Sequence, residues 1–331
     1  MLLMRRRKFI GILVAAIVTP SIAAAQIVAN AHRIGLLAPG AALAPDSGFG
    51  QLFFRAITRR GYIPDQNLVI DSLGVMGHVD RLPQAVDELV ARHVEVIVAL
   101  GYPAALAAKQ RSGMVPVVVI GAGDPVATGL VASLARPGGN VTGITEVAAE
   151  LSAKRLDLLG QLIPTIKRVA ILWNLDDPAM ILRYRAAEAA GQKAGVAITS
   201  LGLRQPADFD QAFAAMMRDP PDAILLVSDV LTKLNRKLVY EFAAKHRLPA
   251  IYEEDVYVRD GGLISYGPDM EEEFDLAAGL VDRLFKGAQA AQLPVELPTR
   301  FTLAINLRTA AKLGLPIPPS LLALADEVIE C

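Results

Sequence analysis

The sequence holds a single cysteine, Cys331, at its last position, and few histidines: His32, His78, His93 and His246. One cysteine cannot close an internal disulfide, and the chain lacks the clustered Cys and His that a structural zinc site needs. His93 and His246 fall at the ends of helical stretches, where a cation offsets the helix dipole. No pair has H-x-x-x-H spacing, so all four read as structural. Charge of one sign is also missing: the formal net charge is -1, with charged residues 20% of the chain. That balance removes the electrostatic case for a nucleic-acid partner or an anionic membrane surface. There is no G-x-S-x-G elbow, and Ser, His and acidic residues show no spacing that suggests a catalytic triad. Gly121-Ala122-Gly123-Asp124-Pro125-Val126 approaches a dinucleotide loop, but Val126 replaces the third glycine and no Walker lysine follows. A triad is set by arrangement in space, so catalysis stays open at this point.

What is present is apolar material: 53% of 331 residues, enough for two domains with buried cores. At the N-terminus, Arg5-Arg6-Arg7-Lys8 is basic, residues 9–18 are apolar, and Thr19-Pro20 breaks the run. Ala23-Ala24-Ala25 then supplies small residues ahead of Gln26. This is the pattern of a cleaved export signal over residues 1–25. The apolar run is well short of the roughly 20 residues of a membrane span. Arg6-Arg7-Lys8-Phe9-Ile10 resembles a twin-arginine signal, and the general secretory route fits nearly as well. No cysteine near the cleavage point offers a lipid anchor.

Downstream, apolar β-rich runs alternate with helical periodicity. Strands are predicted at 33–38, 67–73, 94–100 and 115–120, with helices at 50–60, 80–92, 102–110 and 125–134. Such alternation implies a parallel sheet covered on both faces by helices. Pro137-Gly138-Gly139-Asn140 interrupts it and is the candidate first crossing between domains. The pattern then restarts, with helices at 151–162, 180–194, 208–218 and 231–246 and strands at 168–173, 196–201, 223–227 and 249–252. After Gly261-Gly262 come a strand at 263–266, a helix at 270–285, a strand at 302–305 and a helix at 307–313. The predicted architecture is α/β, with two Rossmann-like lobes: 31–143 with 262–290, and 144–261 with 291–331. Ligands of open α/β sheets bind beyond the carboxyl ends of the strands. Two such lobes facing one another make a clamp with its cleft at the hinge.

The candidate ligand residues are therefore strand-end residues: Tyr102 and Ala104, Asp124, Trp173 and Asn174, Ser228 and Asp229, Tyr252 and Glu253. Aromatic walls with a few placed polar groups are what a small-molecule pocket requires, and the only tryptophan lies among them. Tyr102 and Trp173 suit the apolar part of a ligand. Ala104, Asp124, Asn174 and Ser228 suit its polar groups, and Asp229 or Glu253 an amine. The turn at Asp124-Pro125 either connects a strand to a helix or offers helix N-terminal N–H groups to an anion. Glu253-Glu254-Asp255 is either a solvated loop or the source of a cleft carboxylate. Glu271-Glu272-Glu273 opens a helix and complements its dipole.

Longer stretches carry a resemblance: Arg33-Ile34-Gly35, Leu82-Pro83, Gly101-Tyr102-Pro103-Ala104-Ala105-Leu106-Ala107-Ala108-Lys109, Gly123-Asp124-Pro125-Val126, residues 129–143, Leu172-Trp173-Asn174, Leu248-Pro249-Ala250-Ile251-Tyr252, residues 261–267, and Ile317-Pro318-Pro319-Ser320-Leu321-Leu322. In these the chain resembles ABC-transporter substrate-binding proteins of the tryptophan/tyrosine-binding type, which have the class I periplasmic-binding-protein fold. The resemblance implies a receptor that captures a small molecule, with an amino acid the leading candidate, and delivers it to an ABC permease in the inner membrane. It implies a periplasmic location with no catalysis and no cofactor, and the clamp is expected to be a monomer. Two departures bear on the pocket. Residues 39–49 are alanine-rich where relatives place polar residues, and Tyr102 stands where relatives commonly have a smaller one. The rival readings are an exported α/β enzyme using the same cleft and a ligand sensor for a membrane kinase.

Overall fold

The structure is a computed structural model that describes residues 31–146 and 148–330. The export signal read over residues 1–25, and Cys331, lie outside the described residues. Among the described residues no helix is long and apolar enough to cross a membrane.

In the first lobe, β1 (His32–Ala38), β2 (Leu68–Gly74), β3 (Val96–Leu100), β4 (Val117–Ile120) and β5 (Val141–Gly143) form a five-stranded parallel sheet. Its order is β2-β1-β3-β4-β5, threaded by α1 (Gly48–Arg59), α2 (Leu82–Ala91) and α3 (Gly101–Arg111). Side chains alternate across the pleat. Ile34, Leu36, Val96, Val98, Val118 and Ile120 pack on one face, with Phe53 and Ile57 of α1. Leu37, Ile97, Ala99, Val117 and Val119 face the other way, with Val86 and Leu89 of α2. Both faces are covered, so the inner strands β3 and β4 are apolar throughout, whereas the edge strand β2 carries Asp71 and Ser72.

The second lobe is built on α4 (Ala148–Leu162), β6 (Arg168–Asn174), α5 (Pro178–Ala194), β7 (Ala197–Leu203), α6 (Asp208–Arg218) and β8 (Ala223–Leu226). It continues through α7 (Val230–Leu234), α8 (Arg236–His246), β9 (Ala250–Tyr252), α9 (Asp255–Arg259) and β10 (Ile264–Pro268). After α10 (Met270–Phe285), it closes with β11 (Phe301–Asn306), α11 (Leu307–Leu313), α12 (Pro319–Leu324) and β12 (Glu327–Ile329). The sheet order is β12-β11-β10-β9-β8-β6-β7, and β11 runs antiparallel to β10. Val169, Ile171 and Trp173 face Leu159 of α4 and Met180 and Ala187 of α5, whereas Ala170 and Leu172 face Phe209 of α6 and Phe242 of α8.

The helix α10 belongs to the first lobe. Phe274, Ala277, Ala278, Val281 and Leu284 form one buried stripe, and they join the core of β1, β3 and β4. The strand just before it does not. The sequence assigned residues 262–290 to the first lobe, but β10 pairs with β9 and β11 in the second sheet. The chain re-enters the first lobe only at Asp269, which caps α10 by accepting from Glu272 N. Another crossing follows β5, where Thr145 N donates to Glu296 O and Glu296 N to Gly143 O. Those bonds lay it beside the crossing from α10 to β11. The turn 137–140, expected to leave the lobe, instead leads into β5. The helix expected at 125–134 is absent, and turns occupy that stretch. Asp124 Oδ1 accepts from Val126 N and Ala127 N, and Gly129 has φ +74°. The chain is thereby turned out of a helical ladder.

Gly143 sits at the root of the first crossing with φ +150°, and a Cβ there would lie 2.1 Å from Val119 O. Gly143→Ala should cost about 2–4 kcal/mol of stability. Gly139→Ala, with nothing within 4 Å of its Cβ, should stay within about 0.5 kcal/mol. Denaturant melts of both variants check this, and equal midpoints would remove the close-approach argument. Asp177 caps α5 by accepting from Ala179 N and is buried at 4% exposure. Burial, with Asp229 nearby, pushes its carboxyl up to about 6. A folded-state value above the unfolded one makes the native state lose stability as pH rises from about 4 to 6. Asp177→Asn keeps an acceptor for the cap. Its stability relative to the parent should therefore grow by about 2–3 kcal/mol across that window and then level off. Thermal melts at pH 4, 5, 6 and 7 read it, and a flat difference would refute the assignment.

Candidate functional site

The carboxyl ends of both sheets open on one cavity of about 410 Å³ between the lobes. The first lobe supplies a mostly apolar wall. It comprises the loop Ala38–Leu43, the start of α1 with Phe49, the strand ends Leu100 and Ile120, and Met270 and Phe274 of α10. The second lobe supplies the polar side, with Arg183 from α5, Ser228 and Asp229 after β8, Lys233 and Arg236, and Glu253 and Glu254 after β9. Glu146 contributes from the first crossing. The lobes touch across the mouth, where Lys233 Nζ lies 4.6 Å from the centroid of the Phe49 ring, a cation–π contact.

The floor is a buried ion-pair network. Glu253 Oε1 accepts from Arg155 Nη1 at 2.9 Å, and Glu253 Oε2 from Arg183 Nη1 at 2.5 Å and from Ser228 N at 3.1 Å. Arg155 Nε donates to Tyr266 O at 2.7 Å, and Arg183 Nη2 pairs with Glu146 Oε2 at 2.8 Å. Arg155, Arg183 and Glu253 are each under 5% exposed. Burial alone would raise the Glu253 carboxyl, but the two guanidinium groups overcome it and hold Glu253 below the usual carboxylate range. Above it, Ser228 Oγ donates to Glu254 Oε1 and lies 2.6 Å from Tyr257 Oη. Lys233 Nζ pairs with Glu254 Oε2 at 2.9 Å.

Glu273 differs from these. It is 1% exposed, lines the cavity, and its Oε1 has no hydrogen-bond partner. Burial pushes its carboxyl well above the ordinary value, and Glu146 and Glu254 add to the effect. The acidic run had been read as a dipole complement. Glu271 and Glu272 do stay outside, near Arg55 and Arg59 and on Thr299 and Arg300 respectively, but Glu273 turns inward.

Among the sequence candidates, Ser228, Asp229 and Glu253 line the cavity. Asp229 caps α7 in a reciprocal box with Thr232 and accepts from Asn174 Nδ2, which places Asn174 behind it. Glu253, nominated for an amine, already holds Arg155, Arg183 and Ser228 N. Trp173 is stacked on Tyr184 with centroids 4.5 Å apart, and its Nε1 donates to Ser200 Oγ. Tyr252 is buried against Tyr257 and Tyr240. Tyr102 and Ala104 are buried in α3, and burial, with Asp177 nearby, raises the Tyr102 phenol. Asp124 is exposed and spends its carboxylate on its own turn. The side chain of a last strand residue stands perpendicular to the sheet, so the covering helix still buries it. In the second lobe the candidates that reach the cleft, Ser228, Asp229 and Glu253, lie beyond their strands.

Arg155, Arg183 and Glu273 were missed, although the sequence carried a sign of each. Arg155 shares a stripe with Leu151, Leu158 and Leu162, Arg183 one with Ala179, Ala187 and Gly191, and Glu273 one with Ala277, Leu280 and Leu284. A charge at helical spacing among buried small or apolar residues must find a partner or a ligand. Among the described residues, no group of three or more His, Cys, Asp or Glu could hold a metal ion.

The chain is similar to proteins of known character over most of its length. A tyrosine-binding protein of Clostridioides difficile (strain R20291) is 24% identical over 263 residues, covering 80% of this chain and 75% of the relative. A crystal structure of a conserved domain protein from Vibrio cholerae superposes with a TM-score of 0.84 at 22% identity, covering 90% of this chain and 99% of that one. The structure of an ABC domain in complex with L-Trp from Streptococcus pneumoniae gives 0.81 at 24% identity, covering 90% and 100%. These structures share the two-lobed α/β fold. The family model described as ABC transporter substrate binding protein matches residues 53–329, and the chain belongs to that family.

Proposed function

We propose that this substrate-binding protein captures an amino acid with an aromatic or apolar side chain between its lobes, and that it works in the periplasm as a monomer. It delivers that ligand to an ABC permease in the inner membrane and performs no chemical step. The observation that carries the reading is the cavity, with an apolar wall from one lobe and a charged floor from the other. Its volume of about 410 Å³ falls within the range of small-molecule sites. The tyrosine-binding relative and the L-Trp complex add support.

The ligand side chain lies against Phe49, Leu100, Ile120 and Phe274. Its carboxylate meets the N-terminal ends of α1 and α3, whose residues Gly48, Phe49 and Gly101 line the cavity. The end of α3 has no side-chain cap, so its first N–H groups are free for an anion, and the helix dipole favours one. The alanine-rich loop following β1 makes this wall less polar than hydroxyl-bearing loops would. Closure about the crossings buries the ligand and creates the shape the permease reads.

Two measurements test the reading. Thermal shift of the mature protein against the amino acids should single out an aromatic or large apolar one, with about 2.7 kcal/mol gained at 100 times its dissociation constant. Flat responses to every amino acid would sink the proposal. Lys233→Ala removes the contact with Phe49 across the mouth. Ligand affinity should fall roughly threefold to thirtyfold, and small-angle scattering should show a more open unliganded shape. Unchanged affinity and shape would mean that the contact does not hold the lobes together.

A further inference from the structure

Among the described residues, every charged side chain that lines the cavity has a partner within the protein, with one exception. Glu253 is held by Arg155, Arg183 and Ser228 N. Glu146 takes Arg183, Glu254 takes Lys233 and Ser228 Oγ, and Asp229 takes Thr232 and Asn174. Arg236 reaches out to Asp260. Glu273 is left: the residue lines the cavity and is more than nine-tenths buried, and its Oε1 is itself buried without a hydrogen-bond partner.

An ionised carboxylate without a partner in such a place costs several kcal/mol, and a buried group escapes that cost by keeping its proton. The charges around it come from every side. Glu146 on the crossing and Glu254 after β9 push the Glu273 carboxyl further up, while Arg183 on α5 and Lys233 on α7 pull against them. Both of those cations are already committed to Glu146, Glu253 and Glu254. A cation brought by a ligand is not committed. Paired with it, Glu273 becomes a satisfied carboxylate.

Resting on the amino-acid reading above, we propose that Glu273 receives the ligand's ammonium group and releases its own proton as the ligand enters. The balance is simple. The O–H bond of the Glu273 carboxyl breaks, its electron pair stays on the carboxylate, the proton goes to solvent, and the ammonium of the ligand pairs with the oxygen left behind. The floor carboxylates of the second lobe, Glu253 above all, stay in their ion pairs throughout. Three consequences follow. The site discriminates for a cationic nitrogen and rejects deaminated analogues. Where Glu273 is protonated in the free protein, capture releases up to one proton per ligand, and affinity rises with pH by up to about tenfold per unit. The ligand also ties α10 of the first lobe to the second, since its ammonium sits on Glu273 between Glu146 and Glu254.

The test is calorimetry at pH 7 in buffers of different ionisation enthalpy, on the parent protein and on Glu273→Gln. The ligands are L-tryptophan, L-tyrosine, tryptamine and indole-3-propionate. Glutamine has the shape of a protonated glutamate, so the variant keeps the fold, which its thermal melt confirms. The expected result is proton release with tryptophan, tyrosine and tryptamine, at least tenfold weaker binding of indole-3-propionate, and a variant that loses both amine affinity and proton release. An infrared carboxylic-acid band present in the unliganded parent and absent from the variant gives the same answer without a ligand. Amino acids that bind with no proton release, and equally well to Glu273→Gln, would overturn this inference and leave the proposed function standing. Binding of tryptamine with proton release, but of no amino acid, would overturn the amino-acid reading and keep the role of Glu273. No binding by any amine, or no carboxylic-acid band, would overturn the role of Glu273.

Discussion

The carboxylate of Glu253 holds the cleft together. It sits at the end of β9 with two guanidinium groups, Arg155 from α4 and Arg183 from α5, and a backbone N–H from the turn after β8. Arg183 continues the chain of charges to Glu146 on the crossing between lobes. Charges buried this deeply are tolerable only as a set, because removing one strands the others without solvent. The backbone conforms to the network as well. Gly267 lies so close to Glu253 that a Cβ would fall 1.9 Å from its carbonyl oxygen, so only glycine lets β10 run past. Four separate stretches of chain are fixed relative to one another by one side chain.

That constraint also divides labour between the lobes. With the second-lobe charges bound to each other, the floor is polar but rigid, and its ions are not free to follow a ligand. The first lobe offers apolar side chains, helix ends and the unpaired Glu273. In the proposed binding mode the side chain, carboxylate and ammonium of the ligand all rest on first-lobe groups, and the second lobe faces them with its ion-paired floor. The helix α10 takes part in both tasks. It is packed in the first lobe's core through Phe274 and Val281, yet it follows directly from β10 of the second sheet. A rotation about Pro268 and Asp269 therefore moves Glu273 relative to Glu254.

The periodicities that build a parallel α/β sheet are local, and they stood in the sequence in plain form. Near-continuous Val and Ile runs gave the strands, and apolar stripes at helical spacing gave the covering helices. The errors fall where local preference is outvoted. Residues 125–134 have helical composition, but the Asp124 carboxylate and Gly129 hold them in turns. Residues 264–268 were assigned to the first lobe, but hydrogen bonds to β9 and β11 claim them for the second sheet. Pairing partners far apart in sequence leave no mark on the segment itself.

The site shows the same division more sharply. Ser228, Asp229 and Glu253 were legible because their place just past a strand follows from topology alone. Trp173, Tyr252 and Tyr102 were not, because pleat direction and helix cover decide whether an aromatic at a strand end faces the cleft or the core. By itself, the sequence determined the fold class, the two-lobed plan and the position of the cleft, since those rest on periodicity and chain order. The tertiary structure decided which charges are spent on each other and which one is left over. That choice depends on distances between Arg155, Arg183, Glu146, Glu253 and Glu273, and they meet only when both lobes are folded and brought together.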